Sequence, residues 1–538
     1  MGTCTANSPG VTYFSIGEAA ATLAVFFTVT QFLRPVYKFR ISVGYLRIFH
    51  INALLIGTFV SVLLATLIPN VGLSSIPVVG YPVFWEFLGG LQFFVAVCAL
   101  MAVVSTPAKF THQNHHRFFV GIAQTIARSN PEELADLSRE ISSNASALFS
   151  AGNQLRRYQD PSAFVLFSRR REIEFFSTAV SILEVLSDET FCRIAVTKNP
   201  FCAFHLIRAA KMEPNYARAG GPLISTLLEQ AINDETSILH REKDFSGLGH
   251  FKEFFNHTFS DYSFIEGDYH PLSRWHFDID SITANKINRL TNAFYEATKG
   301  YLLTDNTMNE AMALKNAFHA FGYLMRDLIS ELESPDVTGR RQQEISLDAF
   351  KIIHGLDQVI RLVSEHANTD GRDFVEETYN PSKDFSIFGA IANAAFEIFQ
   401  TLSQYRKHED KIRQIAINLW HCIYSFGDPN SRALTQIQKR FEFLIVKKLD
   451  QNFVGRHPAL LWLLIKVTSL NNPDIPSNAE EAFEKKFCQI LQKKLPAAVR
   501  EHREVVLKML PINATYIELT NELIYSLPVS GKRILALT

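Results

Sequence analysis

Between Arg47 and Lys109 a single residue, Glu86, carries a formal charge at neutral pH. Two apolar runs lie inside that stretch, INALLIGTFVSVLLATLI (51–68) and FWEFLGGLQFFVAVCALMAVV (84–104), and a third, AAATLAVFFTVTQFL (19–33), lies just upstream. At about 1.5 Å rise per residue, each with its flanks matches a hydrocarbon core of roughly 30 Å. The expectation is three transmembrane helices over about 17–34, 49–69 and 83–105, within a membrane region of residues 1–108. The first seventeen residues contain no Lys or Arg, so they lack the basic start of a secretory signal, and a retained anchor is expected.

The connections between the runs assign a direction. Segment 34–47 carries Arg34, Lys38, Arg40 and Arg47 and no acid, whereas 69–82 has no charge at all. Lys109 and Arg117 follow the third run. The positive-inside rule then places 34–47 and everything after 105 in the cytoplasm, with 1–17 and 69–82 outside, as for a bacterial inner-membrane protein. Glu86 follows Tyr81, Pro82 and Trp85, a context that reads as a carboxylate at headgroup level. The alternative is a polar group facing a bundle interior or a pore. Gly89 and Gly90, one turn on, allow close helix approach.

The remainder is rich in both signs of charge, and the whole balances at 53 basic against 54 acidic side chains, which excludes a globally basic nucleic-acid binder. None of the six cysteines forms a C-x-x-C pair, so neither a zinc site nor a disulfide framework is expected. The apolar periodicity is helical throughout. Asn130 caps a helix opening at Pro131; further helices are expected at 282–303, 309–332, 342–366, 386–406, 409–426 and 431–449, with 479–526 again helical. ALLWLLIKVTSL (459–470) is too short for a fourth span and reads as a buried helix. No period of 34 to 47 residues holds. The fold class is therefore all-α: a three-helix transmembrane region and a large, irregular solenoid-like cytosolic domain. That domain divides into 109–367 and 368–538, with the polar loop 368–384 as the boundary.

Several clusters carry candidate chemistry. His112, His115 and His116 sit just after the third run, and the first and last share a metal-binding spacing; a polar collar at the lipid headgroups is the plainer reading. Arg156, Arg157, Arg169, Arg170 and Arg171 form the densest basic group, suited to anionic headgroups at about 1 kcal/mol each or to a solvated helix face; no RNA-binding motif accompanies it. In 244–281, ten of the 33 residues from Phe245 to Phe277 are aromatic, against 12% overall. His250, His257, His270 and His276 punctuate this insertion, which reads as an aromatic plug or partner contact or as a ligand region.

Arg361 and His366 in R-L-V-S-E-H resemble the R-x4-H signature of HEPN-type ribonucleases, although Leu362 replaces the polar residue usual after the arginine. That resemblance implies metal-free RNA cleavage, with His366 moving protons and Arg361 stabilising the phosphorane. Helix-end residues are the other reading. No pattern calls for a cofactor or a resident metal. The expected function is a membrane-anchored interaction or sensing protein, an oligomeric membrane effector of the kind used in bacterial stress or phage defence, with the membrane-tethered ribonuclease as the alternative. Its expected partners are the bilayer and either a protein or further copies of the chain, with nucleic acid unsupported.

Overall fold

In the computed structural model the near-chargeless stretch folds into two helices. The structure describes residues 34–44, 48–71, 81–158, 170–213, 216–242, 253–267, 283–304, 311–369, 386–405, 407–424, 431–452 and 486–493, isolated positions besides, and strands at 514–517, 522–527 and 531–536. Helix α1 spans Pro35–Val43, α2 Ile48–Val71 and α3 Pro82–Ser105. At about 1.5 Å per residue, the 24 residues of α2 and of α3 reach about 36 Å each. Among the described residues two helices, Phe49–Ile68 and Pro82–Ser105, are long and apolar enough to cross a membrane, where three were expected in the chain. The remaining expected span, 17–34, lies almost entirely outside the described residues.

Helices α2 and α3 pack as a hairpin around Ile51, Leu55 and Ala96. Gly89 makes the close approach: a Cβ there would lie 3.2 Å from Val62 Cγ2 and 3.3 Å from the Thr58 carbonyl oxygen. Gly90, one residue on, faces open space. The outer sides of both helices are apolar and uncovered, with Phe49, Phe87, Phe94 and Met101 each more than 60% exposed.

The chain separates into two compact units, Met1–Leu227 and Leu228–Thr538. In the first, α4 (His115–Arg128) buries Phe118, Ile122 and Ile126, a strict i, i+4 stripe, and stops at Ser129 in the left-handed conformation (φ 52°). Helix α5 (Pro131–Tyr158) opens on Asn130, whose side chain accepts the Glu132 amide at 2.9 Å, the expected cap. It is flanked by α6 (Arg170–Val185), α7 (Glu189–Thr197) and α8 (Pro200–Met212). Helix α9 (Tyr216–Asn233) bends at Gly220, where Phe149 fills the space that a side chain would need.

The second unit opens with the short α10 (Ile238–Arg241), α11 (Glu253–Phe259) and α12 (Tyr262–Ile265), which lead to α13 (Ala284–Leu303). Then come α14 (Met312–Glu333), α15 (Gly339–Thr369), α16 (Ile387–Gln404), α17 (Glu409–Tyr424) and α18 (Arg432–Asn452). Each of α13 to α16 packs more heavily on the helix two places further on than on the next one, so these helices form a two-layered stack. The 368–384 loop lies outside the described residues, apart from the end of α15, and the helices on its two sides pack together. Leu460, Leu463, Leu464 and Val467 are buried helical positions, as the short apolar run suggested.

The helical class holds, with one correction. The end of the expected helix 479–526 is β1 (Ala514–Ile517) and β2 (Glu522–Leu527), joined by β3 (Gly531–Ala536) in an antiparallel meander. Alternating β-branched and aromatic residues, broken by Thr520-Asn521 and by Pro528 to Gly531, favour strands over a helix there.

Candidate functional site

The most heavily built polar arrangement in the first unit joins the apolar hairpin to the helices that follow it. Arg40, on α1, donates from Nε and Nη2 to Glu140 Oε1 on α5 at 2.8 and 2.6 Å. Its Nη1 donates to the carbonyls of Val104 (2.5 Å) and Val103 (3.3 Å), in the last turn of α3. One guanidinium thus satisfies C-terminal carbonyls that a helix leaves without intrahelical partners, and it lies where the helix dipole is negative. The Glu140 side chain is 1% exposed and that of Arg40 is 15% exposed, so this is a buried ion pair.

The second Glu140 oxygen accepts the Ala108 amide at 2.8 Å. Asn144, one turn further along α5, accepts the Phe110 amide (2.7 Å) and donates to the Ala108 carbonyl (2.7 Å). The chain leaving α3 is therefore fastened to α5 as an added strand would be, by its own backbone groups. Phe39, Phe118, Phe110 and Phe175 stack alongside at ring-centroid separations of 5.4, 5.6 and 4.7 Å. Gly121 lets Phe39 seat on α4; a Cβ there would lie 2.9 Å from its ring. A hydrogen bond from Arg117 to the Gly44 carbonyl, 3.3 Å, ties α4 to the end of α1.

Beside the clasp a groove of about 290 Å³ opens between α1, α4 and α5. Val36, Phe39 and Leu137 give it an apolar floor, and Lys38, Arg128 and Glu133 lie on its rim.

The residues singled out from sequence lie elsewhere. Glu86 is half-buried near the start of α3. Gly89 makes its close approach within the chain, against α2, while Gly90 takes no part in the hairpin contact. Of the arginine cluster, Arg171 is exposed on α6; the side chains of Arg156, Arg157 and Arg170, and the whole of Arg169, lie outside the described residues. His112 stacks on Phe175 at 3.7 Å, and His115 Nδ1 hydrogen-bonds the Thr178 hydroxyl at 2.9 Å. Burial, more than the neighbouring His116, lowers the His115 pKa.

His250 and His276 lie outside the described residues, and His257 is half-buried on α11. His270 is fully buried, with Phe259 and Phe264 edge-on at 5.7 and 5.6 Å, and burial pushes its pKa down to about 3. It is a neutral core histidine whose Nδ1 accepts the Leu272 amide. No group of three or more potential metal ligands occurs among the described residues. Arg361 donates to Asp357 at 2.9 Å within its own helix, and His366 Nε2 meets the Leu302 carbonyl at 2.9 Å, so each has a structural partner.

Sequence inspection overlooked Glu140 and Asn144. The signal was present: they fall at i, i+4 inside the apolar stripe Leu137, Ile141, Ala145 and Leu148, where a carboxylate and an amide need dedicated partners. Comparison of the chain with family models, with curated proteins and with solved structures finds no match in any of the three.

Proposed function

We propose that this chain is a membrane-anchored interaction protein without catalysis of its own, whose cytosolic helices are joined mechanically to a membrane hairpin. The observation that carries this reading is the Arg40 guanidinium, shared between the last carbonyls of α3 and the buried Glu140 carboxylate of α5. A shift of α3 along or about its axis would move the carbonyls that Arg40 holds, and with them α5. Membrane placement is supported by the uncovered apolar sides of α2 and α3, a surface that hydrocarbon covers and water does not. The basic run 34–47 favours the orientation with α1 and everything after residue 105 in the cytoplasm.

The two described helices enclose no pathway by themselves, so a conducting form would need more helices or several copies, and the interaction reading requires neither. No contact among the described residues favours the ribonuclease alternative, and RNA cleavage lost in an Arg361→Ala/His366→Ala variant would reinstate it.

Bilayer thickness supplies the test, because mismatch tilts spanning helices. In thin and thick lipid nanodiscs, amide exchange in 131–155 of the intact protein is expected to differ, and in Arg40→Gln the difference should vanish. Exchange in α5 indifferent to thickness in the unaltered protein would overturn the reading.

A further inference from the structure

We infer that the groove between α1, α4 and α5 binds a phosphodiester or phosphate group and that this ligand braces the same joint as the clasp. The inference rests on the membrane placement proposed above. Its first ground is shape. At about 290 Å³ the groove is at the lower end of the roughly 300–1,000 Å³ usual for small-molecule sites, sized for a headgroup and not for a large cofactor.

The second ground is charge. Lys38 and Arg128 line the groove with Glu133 and Glu140, and with Arg40, which lies outside the lining and pairs with Glu140, the five groups leave one positive charge in excess. Arg40 and Glu140 neutralise each other at 2.6 Å. Arg128 reaches Glu133 only at 3.6 Å, from a side chain 66% exposed, so its remaining donors face outward. The Lys38 ammonium and the Gln124 amide have no side-chain partner among the described residues. A singly charged phosphodiester supplies the missing negative charge and the acceptor oxygens that lysine, arginine and an amide would bond.

The third ground is position. Lys38 is two residues from Arg40, whose guanidinium holds the end of α3, so the rim lies at the level where a membrane helix gives way to headgroups. Val36, Phe39 and Leu137 would take the glycerol carbons beneath the phosphate. Because Lys38 stands on α1 and Gln124 and Arg128 on α4, an occupant would tie α4 to α1, the helix whose Arg40 makes the clasp.

The test uses the full chain in detergent and reads the thermal unfolding midpoint against three probes: short-chain phosphatidylglycerol, inorganic phosphate, and a phosphate-free monoacylglycerol. A saturable rise is expected with the first. A rise with inorganic phosphate too would name the free anion as a sufficient ligand. In Lys38→Gln/Arg128→Gln the concentration needed should increase at least about tenfold, as loss of two charge-assisted hydrogen bonds requires. The charge-conserving Lys38→Arg/Arg128→Lys pair should keep the response, which separates binding from folding. An equal rise with monoacylglycerol, an equal rise in the glutamine variant, or no rise with either phosphate probe would overturn the site. Should the chain prove not to be membrane-integrated, the placement fails, while the inorganic-phosphate arm still reads the groove.

Discussion

Removing the Glu140 carboxylate would strand the Arg40 guanidinium among buried groups and leave the Ala108 amide without its acceptor. Breaking one side of such a pair costs about 3–5 kcal/mol, whereas replacing both partners with apolar residues of similar volume is far better tolerated. Glu140→Ala and Arg40→Ala are each expected to lose about 3–5 kcal/mol in equilibrium unfolding. Arg40→Met/Glu140→Leu should recover most of that stability while losing the response of α5 to bilayer thickness. A double variant as unstable as the sum of the single ones would mean that the two residues act separately. A second pair answers to pH: His319 Nδ1 lies 2.9 Å from Glu397 Oε1, and this hydrogen bond, opposed by burial, raises the histidine pKa. A raised folded-state pKa gives stability that is complete below the unfolded value of about 6.5 and is lost as pH climbs through the folded one. The midpoint advantage of the unaltered protein over His319→Gln should therefore be larger at about pH 5.5 than at about pH 9; an advantage constant across that interval would remove the ion pair from the account.

At the scale of elements, the two long apolar helices were legible because absence of charge over that length leaves few alternatives. Helix α1 was not, and 34–47 read as a basic connection. Its buried residues, Phe39, Ile41 and Val43, fall at every second position, on two sides of a nine-residue helix, so no one-sided stripe of helical period appears in the sequence. The long helices of the second unit were legible almost to their ends, because α13 to α18 keep an apolar stripe against one layer of the stack. Sequence alone set Gly89 and Gly90 side by side as equals, and only helix rotation separates them. Gly89→Val would press on the Thr58 backbone and Val62 and should cost about 1–3 kcal/mol, as overpacking does. Gly90→Val, on the open side, should leave the unfolding midpoint in detergent unchanged apart from the small propensity effect common to both. Equal losses at the two sites would contradict the hairpin rotation.

For the molecule as a whole, the clasp matters because the proposed placement sets it where two solvents meet. Hydrogen bonding and burial fix α5 to the end of α3 within the first unit, while the second unit, Leu228–Thr538, carries the layered helical stack. The candidate site itself was only half legible: Arg40 was counted among the basic residues that set orientation, and its role as a connector depends on Glu140, a hundred positions away, which no local pattern pairs with it. The proposed function of the clasp, and a lipid headgroup as the occupant of the groove, depend on α2 and α3 lying in a bilayer, and extraction of native membranes with alkaline carbonate tests that most directly. The full chain is predicted to stay in the membrane pellet and to be released by non-ionic detergent; its appearance in the carbonate supernatant would contradict the account.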